Sequence, residues 1–167
     1  GKDWEVIHVW GIYQGNYYLL ARDSNRGHDP DWTLSRLFEY VRHFRPLRVV
    51  VDGTAYQRTL KWIIEKAQRE QRIFFQVIAI DDKRSKAHKI TQGLSGVGAQ
   101  KKVYCRRDHI PFIQQFSTYP NLDHDDELDA AWMGIQELSK FEGFETDEDG
   151  YVDDDYKKPM RIAQVIP

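Results

Sequence analysis

Residues 47–53, "LRVVVDG", form an apolar run with no polar alternation, closed by an Asp-Gly pair. Three successive valines favour extended backbone, and the lack of alternation predicts a strand buried on both faces. Strands of that kind occur in parallel or mixed sheets covered by helices on either side, so this stretch alone directs the chain towards an α/β architecture. Its surroundings agree. "PDWTLSRLFEYVRHF" before it places Trp32, Leu34, Leu37, Phe38, Val41 and Phe44 on one helical face, with Asp31 as N-cap and Pro46 as terminator. "TAYQRTLKWIIEKAQRE" after it reads as a second helix, and "IFFQVIAI", Ile73 to Ile80, as a second buried strand.

Upstream, "WEVIHVWGI" and "NYYLLARDS" are rich in β-branched and aromatic residues and are joined by "YQG", which predicts an antiparallel hairpin. Downstream, "SKAHKITQGL" reads as helical until "SGVG" breaks it, "KKVYCRR" as a short strand, and "IPFIQQFSTYP" as a short helix ending at Pro120. A helix from about Asp126 to Phe141 buries Leu128, Ala131, Trp132, Ile135 and Leu138. The order gives a three-layer fold with a mixed central sheet over residues 1–142, followed by an acidic, flexible tail over 143–167.

With 167 residues, 41% of them hydrophobic, the chain matches one globular domain with a real core. No run of about 18 apolar residues is present for a membrane span, and no signal-peptide pattern opens the chain, so a soluble intracellular protein with no membrane partner is expected. The single cysteine, Cys105, excludes an internal disulfide and a Cys-based zinc site.

A net charge of −2 argues against a nucleic-acid partner, but its distribution does not. Between Asp81 and His109 stand eight Lys or Arg residues against three Asp; between Asp123 and Asp155 Lys140 is the sole Lys or Arg among many carboxylates. A basic stripe beside an acidic cluster suits a polyanion on one and a metal on the other, the plainer alternative being a solvated loop.

The acidic cluster, "LDHDDELDA" at residues 122–130, holds more carboxylates than capping and the helix dipole require. In parallel sheets chemistry gathers at the carboxyl ends of strands, where Asp52 is placed. A strand-end Asp converging with an acidic helix start offers hard oxygen ligands to Mg²⁺ or Mn²⁺; two ions about 3.5–4 Å apart would serve in-line displacement at phosphorus. Taken singly, Asp52 also fits an Asp-Gly turn, and Asp125, Asp126 and Asp129 also fit capping and a solvated face. Their combination favours metal.

Several stretches together are similar to a known family. "KDWEVIHVWGIYQGNYYLLARDSNRG", "VVVDGTAYQRTL", "DKRSKAHKI" and above all "YPNLDHDDELDA", with its P-x-x-x-H-D-D-x-x-D pattern, resemble the nuclease domain of the large terminase subunit of tailed double-stranded DNA bacteriophages, an RNase H-like (RuvC-like) fold. The resemblance implies a metal-dependent endonuclease that cuts phage DNA during genome packaging. It implies Asp52 and Asp126 as catalytic metal ligands, with Asp125 beside them as a further catalytic ligand or a group that supports them, and Asp3, His124 and Asp129 as supporting groups. Lys83, Arg84, Lys86 and Lys89 would contact double-stranded DNA. It implies as partners the terminase ATPase domain, the small terminase subunit and the portal protein, and the cytoplasm of the infected bacterial host as location. The family also carries a first acid on a central strand ahead of the hairpin, for which these residues offer no match. The expectation is therefore a sheet whose middle strand comes from upstream of Gly1, and an acid set that these residues leave incomplete. A RuvC-like junction resolvase or another RNase H-like nuclease, or a catalytically silent DNA-binding scaffold of the same fold, are the competing functions.

Overall fold

The computed structural model describes residues 4–27, 29–53, 55–142 and 151–167, with side chains from residue 59 onward in the second helix. Strands β1 (Trp4–Tyr13) and β2 (Asn16–Arg26) pair antiparallel around Gln14 and Gly15, whose φ of 47° and 74° are those of the tight turn that matches the strands' twist. Helix α1 (Pro30–Phe44) leads to β3 (Arg48–Asp52), and α2 (Ala55–Gln71) leads to β4 (Gln76–Ile80), which lies parallel to β3. The N-cap of α1 is Asp29 rather than Asp31, because Pro30 takes the first helical position and the Asp29 carboxylate accepts from the N–H groups of Asp31 and Trp32.

A continuous helical segment follows: α3 (Lys86–Lys89), a π-helical turn over Ile90–Leu94, and α4 (Ser95–Ala99). "SGVG" does not break it. A Cβ on Gly98 would lie 2.6 Å from the Phe116 ring, so this glycine makes room for a helix contact rather than a turn. Strand β5 (Val103–Tyr104), α5 (Ile110–Thr118) and α6 (Asp126–Ser139) complete the elements the sequence led one to expect.

The expected tail departs most from the structure. Residues 143–150 lie outside the described residues, but Tyr151–Val152 form β6 and Pro159–Ile166 form β7. The sheet order is β4-β3-β7-β1-β2-β5, with β6 paired to the start of β7. Thus β7 runs parallel to β3 and antiparallel to β1 in the middle of the sheet. The place assigned to an upstream strand is held by residues 159–166, and Ile162, Ala163, Val165 and Ile166 are buried there. The physical reason is visible in "RIAQVI", in which Gln164 alone interrupts an apolar run of the kind seen in "RVVVD". Strand β4 is corrected in the opposite sense. It lies at the sheet's edge with Gln76 and Ala79 exposed, so it is not buried on both faces.

Two apolar layers sandwich the sheet. Val49 and Val51 of β3 and Ile166 of β7 meet Leu37, Phe38, Leu60 and Ile64 of α1 and α2. Val50, Ala163 and Val165 turn the other way, towards Leu128, Ala131 and Ile135 of α6, as the two-residue period of a strand requires. Helix α6 lies close on β1 because Gly134 faces the Trp10 indole, where an added Cβ would stand 2.5 Å from Cδ1. Gly134→Ala is therefore expected to destabilise the domain by about 1–3 kcal/mol, the usual cost of overpacking; an unchanged urea midpoint would show that this contact yields freely. Among the described residues no helix is long and apolar enough to cross a membrane.

Candidate active site

The alternation that turns Val50 towards α6 also turns Asp52, two residues on, to the same side. Asp52 is in register with Ile80 at the end of β4, and the N–H of Gly53 donates to the Ile80 carbonyl at 2.7 Å. The two parallel strands thus end together and set Asp52 beside Asp81. Both carboxylates line a cleft of about 420 Å³ whose opposite wall is α6, through Asp129, Trp132 and Met133. The spacing 129, 132, 133 is one face of a helix.

All four cations expected to contact DNA also line this cleft. Three of them are engaged inward. The Lys86 ammonium bridges two carboxylates, Asp129 at 2.7 Å and Asp125 in close contact. Arg84 pairs with Asp82, and its guanidinium stands 5.8 Å from the centre of the Trp132 ring. The Lys89 ammonium is 5.0 Å from the same ring. The first part of the basic stripe, residues 83–89, is thereby folded over the acidic helix start, with Trp132 as its apolar seat.

Charge in the cleft is unevenly compensated. Hydrogen bonds from the Arg84 side chain and N–H hold Asp82 well below the usual carboxylate range. Burial pushes Asp129 up to about 6, reinforced by Asp125 and Asp126 and opposed by Lys86. Burial also works against the Lys86 charge, but its bonds to Asp125 and Asp129 prevail and raise it.

The remaining expected residues separate. Asp125 is the N-cap residue of α6, where its side chain turns to Lys86 instead of capping the helix. Asp126 opens the helix, one turn before Asp129. Asp129, expected to support the ligands, is the α6 carboxylate that shares the cleft with Asp52. His124 lies elsewhere, in a small cavity with Trp4, Gln115 and Glu127. Asp3 lies outside the described residues. As donors, the cleft carboxylates fit a hard divalent cation by chemistry. Among the described residues no three such side chains are gathered closely enough to hold an ion as they stand.

A buried network behind the cleft had no counterpart in the sequence reading. The Trp10 indole N–H donates to Nδ1 of His8 at 3.1 Å, which leaves the ring proton on Nε2, and that nitrogen donates to Glu127 at 2.6 Å. Arg22 reaches the other Glu127 oxygen at 2.6 Å. Burial alone would raise the Glu127 carboxyl, but His8 and Arg22 outweigh it and hold it low. Residues 127 and 129 are about 200° apart around a helix, so Glu127 bolts α6 onto β1 and β2 while Asp129 faces the cleft. Asp81 was missed too, although it directly follows the end of a parallel strand. That signal was available.

A mixed sheet with a carboxylate-bearing cleft at the carboxyl ends of its parallel strands is the arrangement of an RNase H-like domain. The family model described as the terminase RNase H-like domain matches residues 1–138, and the chain belongs to that family. No curated relative matches the sequence.

Proposed function

We propose that this domain is the nuclease of a phage terminase, a metal-dependent endonuclease that hydrolyses phosphodiesters of double-stranded DNA during genome packaging. The observation that carries the reading is the convergence of Asp52 from β3 and Asp129 from α6 on one cleft that also holds Lys83, Arg84, Lys86 and Lys89. Asp52, Asp126 and Asp125, with Asp129 now beside them, would hold Mg²⁺ or Mn²⁺, as a pair of ions in the full reading. When bound, such ions supply an activated water and stabilise charge on the leaving oxygen. The chain's own part is to place the phosphate: Lys and Arg side chains around the carboxylates bind the backbone by charge, which fixes register without reading bases. Little sequence preference follows. Double-stranded DNA, the terminase ATPase domain, the small terminase subunit and the portal protein are the partners in this reading, and the host cytoplasm its location.

The test is incubation of supercoiled plasmid with the domain and Mn²⁺, scored for nicked and linear product against a chelator control. Absence of product would favour a second reading, a DNA-binding scaffold without activity. That reading draws on β7, the central strand, whose sequence "PMRIAQVI" carries no acid. DNA contact by the cleft has its own measure. Lys83→Ala and Lys89→Ala should each weaken binding to unrelated duplexes alike and shallow the salt dependence by about one unit. Slopes unchanged in fluorescence anisotropy would remove these side chains from the phosphate contacts.

A further inference from the structure

We propose that Lys86 is a tethered counter-cation: its ammonium takes the place between Asp125 and Asp129 that a divalent ion would take, so lysine and metal compete for the same carboxylates. This inference rests on the metal-dependent reading above and concerns a residue that reading uses only for DNA.

The geometry is specific. Lys86 opens α3, which Ser85 caps through its hydroxyl oxygen accepting from the His88 N–H. From there its stem crosses to α6 and its ammonium touches Asp125 and Asp129, residues one helical turn apart. One positive charge shared by two carboxylates offsets half of theirs. The arrangement therefore leaves negative charge that a doubly charged ion would offset better. Displacing Lys86 does not require the segment to unfold. Arg84 keeps its pair with Asp82, and Arg84 and Lys89 keep their seats on Trp132. The Lys86 side chain is 44% exposed, so a released ammonium can turn to solvent or to a phosphate at the same cleft. Lys86 is thus a positioning residue: it holds two carboxylates at a set separation until a stronger cation arrives.

Calorimetric titration of Mn²⁺ into the wild type, K86Q and K86R tests this, with thermal melting of each protein in chelator. Removing the competitor should tighten Mn²⁺ binding to K86Q at least about fivefold while its metal-free melting temperature falls. K86R, which keeps the charge, should bind within about twofold of the wild type. A merely structural salt bridge predicts the opposite sign, a weaker site in a less stable protein. Equal or weaker Mn²⁺ affinity in K86Q that keeps native circular dichroism overturns the role of Lys86 and leaves the metal reading standing. If neither the wild type nor K86Q binds Mn²⁺, the metal reading falls and this inference falls with it.

Discussion

Asp52→Ala should reduce Mn²⁺-dependent plasmid cleavage by at least about a thousandfold, equivalent to roughly 4 kcal/mol of lost transition-state stabilisation. Asp52 ends a buried parallel strand, faces α6 across a cleft, and stands beside Asp81. Its side chain is only partly buried, so the urea midpoint should change little. That combination, a large loss of rate in an undamaged fold, is what separates a chemical role from the Asp-Gly turn that the sequence also permits. A variant cutting as fast as the wild type would end the nuclease assignment of this cleft. The α6 partner is resolved by the same assay. Asp129→Asn is expected to lose activity at least as fully as Asp126→Asn, since Asp129 lines the cleft with Asp52; full activity in Asp129→Asn would return the role to Asp126 alone.

The second large effect belongs to Glu127, which touches no part of the cleft. Glu127→Ala leaves His8, fully buried, and Arg22, partly buried, without their shared carboxylate. Removing one partner of a buried ion pair costs about 3–5 kcal/mol, a large share of the stability of a domain this size. Glu127→Gln keeps the shape and an accepting oxygen and should lose less. Urea denaturation of the three proteins decides it. A loss below about 1 kcal/mol in the alanine variant would mean that water replaces the carboxylate and that the network does not hold α6 in place.

These residues also mark what could be read from sequence. Asp52, its strand and the flanking helices were legible because burial on two faces leaves an unalternating apolar run, and a helix face leaves a period of 3.6 residues. The cluster at residues 123–129 was legible as a concentration of charge, but not the division of labour within it. Whether Asp126 or Asp129 faces the cleft depends on how α6 is rotated, and the Glu127–His8–Arg22 network fixes that rotation. Glu127 and His8 lie 119 residues apart, a pairing no local pattern announces. The basic stripe was found by composition, yet composition could not show that Lys86 turns inward to Asp125 and Asp129. Strand β7 was lost because the acidic stretch before it lowered the apparent hydrophobicity of the whole C-terminal region. Its own "RIAQVI" obeys the rule that had found β3.

The central position of β7 has a consequence for the order of assembly. As the chain leaves the ribosome, β1-β2-β5 and β3-β4 emerge as two half-sheets, each with an open edge, and no strand pairing joins them until residues 159–166 insert between β3 and β1. Asp52 belongs to one half, while α6, bearing Asp129, packs on β1 in the other and on β7. The two walls of the cleft therefore gain their shared strand only once residues 159–166 are in place, by a pairing of high sequence separation that is intrinsically slow to form.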